Sequence, residues 1–319
     1  MSCPEPINPK QALYIKLGYG GAHADECIRE GVLYIGYGEM EHSSCLAGDW
    51  DAAKEQLRAA LNCKPGALAN HVRQVKEFYI ADRDTLWVTI HNRHLYWCFA
   101  QPEVTQYDQG VRLLDRQRVR GTVDGWRNTD ILGNPLAIDG ISSLITRTHG
   151  YRGTICRIND GAAFEYLVRK INVQETEALK HVRAERESLV TSAQALIGNL
   201  HQSDFELLID LLFRQAGWQR LSEVGGQMKD LDAVFLAPVT QKRYGVQVKM
   251  SADGGTLADW QTACEGMDDF ERLYFAVQKE VGDLGRKLVG ERFELLLPDS
   301  IARNVVDYGL LNWLIEKST

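Results

Sequence analysis

The chain has 319 residues, 45% hydrophobic and 25% charged, enough for two domains that each bury a core. No apolar run approaches the roughly 18 residues of a membrane span, and the start "MSCPEPINPK" lacks a signal peptide's basic end and apolar centre, so the expected compartment is the cytoplasm. The seven cysteines never form a C-x-x-C pair, against a zinc ribbon or a disulfide framework, and the net charge of −7 arises wholly after residue 170, because residues 1–170 carry 20 basic and 20 acidic side chains.

From Leu13 the chain alternates short strands with glycine-marked turns. "LYIKLGY" and "GVLYIGYG" read as strands around a short helix, "ADECIREG", that ends at Gly31. "DWDAAKEQLRAAL" has acidic residues in its first turn and "PGALANHVRQVKEFY" begins with proline, so both read as amphipathic helices. "TLWVTI" and "LYWCFA" flank "HNRH" as a hairpin. His91 and His94 are read as turn residues rather than metal ligands, because no third ligand stands at a suitable spacing. "RLLDRQRVRG" and "GTICRI" are further strand candidates. Mixed short strands of this kind predict a small, partly closed barrel with helices at its ends. Between Val173 and Leu200 the composition turns to Glu, Lys, Arg, Ala and Leu without proline, which predicts a helical connector.

Beyond it come a helix, "SDFELLIDLLFRQAG", strands "LDAVFLA" and "YGVQVKM", a helix "TLADWQTACEGM", strands "RLYFAV" and "RFELLL", and a last helix "SIARNVVDYGLLNWLIEK". This order predicts a mixed sheet with helices on both faces. Alternation places Tyr244, Val246, Val248 and Met250 on one face of their strand and Gly245, Gln247 and Lys249 on the other. In "KDLDAVFLAP" it places Asp230 and Asp232 together. A short connection makes the two strands an antiparallel hairpin, and a register that pairs Asp232 with Gln247 or Lys249 gathers carboxylate, amide and ammonium in one patch. Carboxylate, backbone carbonyl and phosphate oxygens suit Mg²⁺, and a nearby lysine can orient water or stabilise charge growing on phosphate. The acidic excess of this half is compatible with such a site. Glu206 follows Ser203 by three, so "SDFE" is also a candidate capping box.

The run "FELLIDLLFRQAGW", "LDAV", "VQVK" resembles the PD-(D/E)-x-K endonuclease fold and, within it, the Mrr-like restriction nucleases, over residues 201–319. The resemblance implies Asp232 as the main metal ligand, Gln247 at the second motif position, Lys249 as the catalytic lysine and Glu206 as the acid of the first helix, with Mg²⁺ held by Asp232 and Glu206. Where the family commonly has a "GDGGID"-like run this chain has "GGQMKDLD", which leaves Asp230 as the alternative to Asp232.

The first half has no comparable acid/base cluster, and its informative feature is aromatic. "YIKLGYGGAHADECIREGVLYIGYG", "DTLWVTIHNRHLYWCFA" and "VDGWRNTDILGNPL" are similar to the EVE/PUA-like nucleic-acid-binding barrels. That resemblance implies an aromatic pocket for a modified base, with Tyr37, Trp97 and Trp126 as its candidates. "RLLDRQRVRGTVDGWR" adds Arg112, Arg116, Arg118, Arg120 and Arg127, of which Arg118 and Arg120 are the candidate phosphate contacts. The expected architecture is an α+β, PUA-like barrel domain over 1–172, a helical connector over 173–200 and an α/β restriction-endonuclease-like domain with a mixed sheet over 201–319. The expected function is a modification-dependent, type IV-like restriction endonuclease acting on double-stranded DNA with Mg²⁺, with no membrane partner and a homodimer as candidate assembly. The alternatives are a nucleic-acid sensor with an inactive nuclease fold and a structure-selective DNA or RNA nuclease.

Overall fold

A computed structural model describes residues 4–61, 64–106, 118–158, 160–221, 231–284 and 290–319. The chain divides into two units, Met1–Glu175 and Thr176–Thr319. Among the described residues no helix is long and apolar enough to cross a membrane.

The first unit runs β1 (Gln11–Ile15), α1 (Ala24–Glu30), β2 (Val32–Ile35), α2 (His42–Ala47), α3 (Trp50–Ala60), α4 (Pro65–Ile80), β3 (Thr85–His91) and β4 (His94–Phe99). It continues with β5 (Thr105–Gln106), β6 (Arg118–Gly121), α5 (Ser143–Thr146), β7 (Ile155–Arg157) and α6 (Gly161–Ile171). Asp49 caps α3 by accepting from Ala52 N–H at 3.0 Å, and Pro65 opens α4. A mixed sheet in the order β4-β3-β1-β7 divides two cores by the period of two that a strand imposes. Leu13, Ile15 and Trp87 face one core with α3 and α4, whereas Ala12, Tyr14, Leu86 and Val88 face the other with α6. The second sheet, β2-β6-β5, is antiparallel and shares the first core through Leu33, Ile35 and Val119. A closed barrel is not formed among the described residues. The strands fall into two sheets that meet at an isolated bridge between Ala100 and Thr122, and α3 and α4 share the core with both.

The second unit runs α7 (Glu177–Ile197), α8 (Gln202–Gln215), β8 (Gln219–Arg220), β9 (Ala233–Ala237), β10 (Lys242–Ala252) and α9 (Gly254–Ala263), then β11 (Arg272–Glu280), β12 (Phe293–Leu296), α10 (Pro298–Asp307) and α11 (Leu311–Ser318). Its five-stranded sheet has the order β12-β11-β10-β9-β8, with β8, β9 and β10 antiparallel and β10, β11 and β12 parallel. One face, with Phe235 and Val246, packs on α7, α8, α10 and α11; the other, with Val234, Leu273 and Phe275, packs on α9. The mixed sheet covered on both faces therefore forms as the sequence implies.

Two expectations change. The segment 173–200 is not a free connector: Val190, Ala193 and Ile197 of α7 are buried in the second unit's core, and Arg186–Asp307 and Arg303–Glu187 pairs tie α7 to α10. Buried Gln278 of β11 then donates to Ile197 O at 2.7 Å and Leu200 O at 2.8 Å, closing the end of the helix. The last predicted helix is two, because Gly309 takes φ +74° between α10 and α11.

Candidate functional site

The β9–β10 ladder ends at Ala233↔Val246, which fixes the register that the hairpin alone left open. Just outside it, Asp232 donates its N–H to Val246 O at 2.9 Å and turns its carboxylate toward β10. Asp232 Oδ2 accepts from Val248 N–H at 2.6 Å and from the Gln247 side-chain amide. Its other oxygen carries no hydrogen bond among the described residues. Gly245 leaves room for the buried leucines packed over it: a Cβ there would lie 2.7 Å from Leu273 Cδ2 and 2.8 Å from Leu231 Cδ1, the residue beside Asp232.

Burial raises the Asp232 pKa above the ordinary carboxylate value. The Val248 N–H opposes that shift, the Glu206 charge adds to it, and the Lys249 and Arg220 charges oppose it. Glu206 and Lys249 are thus within electrostatic reach of Asp232, which Gln247 touches directly. Gln247 is buried, while Glu206 and Lys249 are half-buried. Gln247 donates to the carboxylate and so acts as its amide anchor.

The Ser203–Glu206 capping box does not form. α8 begins at Gln202 with His201 at its N-cap, so Ser203 lies inside the first turn, and the Glu206 carboxylate accepts from Gln202 Nε2 at 2.9 Å. Among the described residues no group of three or more His, Cys, Asp or Glu gathers as a metal cluster. The hard oxygen donors available here are the carboxylates of Asp232 and Glu206, of the kind that Mg²⁺ takes beside waters and substrate oxygens. Asp230 lies outside the described residues.

Sequence reasoning missed Arg220 and Asp210. Asp210 of α8 is 4% exposed and holds Arg220 Nη1 at 2.8 Å and Arg214 Nε at 2.8 Å, while Arg220 Nη2 donates to Asp232 O at 3.3 Å. The guanidinium thus ties the main chain of Asp232 to α8. The only signal was an acid inside an otherwise apolar helix face.

In the first unit the candidates separate. Arg118 and Arg120 are 1% and 0% exposed, which corrects their assignment as phosphate contacts. Arg120 donates to Gln101 O at 2.7 Å, Phe78 O at 2.8 Å and Ala81 O at 2.9 Å, satisfying carbonyls at the end of α4. Arg118 donates to the carbonyls of Gly36, Tyr37 and Met40. Trp97 is also corrected to a core residue: it is 2% exposed and its Nε1–H donates to Thr129 O at 2.7 Å. Trp126 packs on the first core with its Nε1–H on Val32 O at 2.9 Å, away from any described cavity wall. Arg112 and Arg116 lie outside the described residues. His91 pairs with Asp25 at 2.6 Å, in keeping with a turn role.

Tyr37 lines one of the described cavities. That cavity, of about 710 Å³, is walled by Lys16, Tyr19, Tyr34, Tyr37, Glu39, Arg152 and Thr154 among others. Tyr37 sits at φ +69°, a left-handed conformation uncommon for a non-glycine residue, and its hydroxyl meets His71 Nδ1 at 2.7 Å. Burial pushes the Tyr34 hydroxyl up to about 12, so it stays a neutral hydrogen-bonding group. Buried Gln74 holds the main chain at Thr154 of the lining, its Oε1 accepting from the N–H groups of Thr154 and Ile155.

No family model matches the chain, and no curated protein matches it. Among solved structures it is similar to MspJI restriction endonuclease in complex with a 27-mer oligonucleotide, at 11% identity and a TM-score of 0.29, over 92% of this chain and 74% of that one. A TM-score of that size says nothing of this chain's activity.

Proposed function

We propose that the chain is a modification-dependent endonuclease, whose first unit holds a modified base of double-stranded DNA and whose second hydrolyses phosphodiester bonds with Mg²⁺. The observation that carries this reading is the half-buried Asp232 carboxylate, anchored through one oxygen by Val248 and Gln247, with Glu206 and Lys249 acting on its charge. Asp232 and Glu206 would hold the cation, which would supply Lewis-acid polarisation and lower the pKa of a bound water, so that the water gives its proton to solvent and attacks phosphorus as hydroxide. The two hydrogen bonds on Oδ2 aim the free oxygen of Asp232. Lys249 orients the attacking water and stabilises the charge that grows on the phosphate oxygens.

The cavity around Tyr37 supports the base-reading half. Its volume falls within the range of small-ligand sites. It offers aromatic faces in Tyr34 and Tyr37, polar groups for a base edge in Glu39 and Thr154, and cations for flanking phosphates in Lys16 and Arg152. Backbone strain at a pocket residue, as at Tyr37, costs about 1–3 kcal/mol and is concentrated at functional sites.

A second reading, a sensor whose nuclease fold no longer cuts, is favoured by Gln247, whose amide gives Asp232 a donor where a second acid would give a cation a ligand. Incubating unmodified, methylated and hydroxymethylated duplexes with the protein in Mg²⁺ or EDTA separates the two. Mg²⁺-dependent cutting of one modified duplex is expected. Modification-dependent binding with no cutting in any cation would give the sensor reading the field.

A further inference from the structure

Tyr19 is 100% exposed, unusual for an aromatic side chain, so both of its ring faces are open. It stands in a short 3-10 turn, Tyr19–Gly21, in which Gly18, Gly20 and Gly21 take φ +86°, +62° and +85°. Glycine is the residue that populates such angles without strain, so the turn projects one ring from a backbone that L side chains would not adopt. Lys16, Tyr19 and Gly20 line the cavity around Tyr37 and also a second cavity of about 690 Å³. The second cavity has Thr89 and Asn92 as polar groups and Arg93, His91 and His149 as basic ones, and no carboxylate lines it. Asp25 and Asp139, which pair with His91 and Arg93, stand outside its lining.

We propose that the second cavity holds the nucleotide next to the modified base, with Tyr19 stacked between the two bases, so that this unit reads a two-nucleotide step. The proposal rests on the base-reading role given to the cavity around Tyr37. A ring open on both faces at the boundary of two cavities, each roomy enough for a nucleotide, is what stacking on successive bases requires. Lys16, shared by both, lies where the phosphate between the two nucleotides passes. Exposed Asn92 and Arg93 are placed to hydrogen-bond the second base, which makes sequence context next to the modification a property of this cavity.

The test uses the full chain and calorimetric titration with 5-methyl- and 5-hydroxymethyl-deoxycytidine 5′-monophosphate, the dinucleotides that add thymidine on either side, and their unmodified counterparts. One dinucleotide order is expected to bind roughly 5- to 150-fold tighter than the mononucleotide, the range set by stacking one base. Tyr19→Phe keeps that gain, Tyr19→Ala removes it, and Tyr37→Ala weakens mononucleotide and dinucleotide alike. No gain from the second nucleotide, or the same gain in Tyr19→Ala, overturns the proposal. Equal affinity for modified and unmodified probes with the gain intact overturns the modified-base reading and leaves the two-nucleotide site standing.

Discussion

Arg120 distinguishes a structural arginine from a phosphate-binding one, and replacing it by methionine keeps the length and apolar stem while removing the guanidinium. Three carbonyls, those of Phe78, Ala81 and Gln101, then lose donors at 2.8, 2.9 and 2.7 Å in a site with 0% exposure. Each buried acceptor left unpaired costs about 1–3 kcal/mol, so the three together cost about 3–9 kcal/mol. That is a large share of the roughly 5–15 kcal/mol that holds a domain. Burial lowers the guanidinium pKa to about 10, which still leaves it charged at neutral pH, so the loss applies under ordinary conditions. Urea unfolding followed by tryptophan fluorescence reads it, because Arg120 lies over Trp87 at 5.9 Å. Arg152→Ala is the contrast: Arg152 is exposed on the Tyr37 cavity, so its loss should leave unfolding within about 0.5 kcal/mol of wild type and weaken binding to all DNAs by a similar factor. A stable Arg120→Met protein with uniformly weakened DNA binding would refute the assignment.

Asp232→Asn keeps an oxygen for Val248 N–H and Gln247 but removes a charge that burial and Glu206 disfavour. The raised native pKa means that the wild type loses stability as pH rises from the unfolded value through the native one, and is flat above. The variant should therefore melt above wild type at neutral pH, with the difference vanishing in acid, and a difference that grows on acidification would contradict the sign. Gly245→Ala should cost about 1–3 kcal/mol by forcing Leu273 and Leu231 aside, and should lower cleavage by displacing Asp232; urea midpoints that match wild type would contradict the packing. Asp210→Ala leaves Arg220 buried without its carboxylate and should cost about 3–5 kcal/mol in the same unfolding assay, whereas a loss below about 1 kcal/mol would show that the pair is solvated.

The strand β10 was legible because its sheet is covered on both faces, so Val246 and Gln247 had to part to opposite sides whatever the register. Asp232, Gln247 and Lys249 could be grouped from alternation, but the contact of Asp232 with Gln247 needed the Ala233↔Val246 pairing, which no local pattern specifies. The capping box at Ser203 failed because Leu200 is buried and Gln278 ends α7 there, so α8 starts one residue ahead of Ser203. Arg118 and Arg120 misled for a similar reason. Charge suggested an outward face, yet their acceptors come from residues 36–40 and 78–101, brought in by tertiary packing. Aromatic content told that a core or pocket existed but not which ring was which: Trp87 and Trp97 are buried, while Tyr19 and Tyr37 line cavities. The Arg220–Asp210 pair was only half legible: Asp210 stands out as an acid on an apolar helix face, but nothing local names Arg220 as its partner until α8 lies on the sheet.

The central claim is that Asp232 and Lys249 act in cation-dependent phosphodiester hydrolysis. Its most direct test is single-turnover cleavage of the preferred duplex by wild type, Asp232→Asn and Lys249→Met in Mg²⁺ and in EDTA, with DNA affinity measured by anisotropy on the same samples. The account expects wild type to cut only in Mg²⁺ and both variants to lose on the order of 10²- to 10³-fold in rate at unchanged affinity. Cleavage by either variant at the wild-type rate, or wild-type cleavage that persists in EDTA, would contradict it.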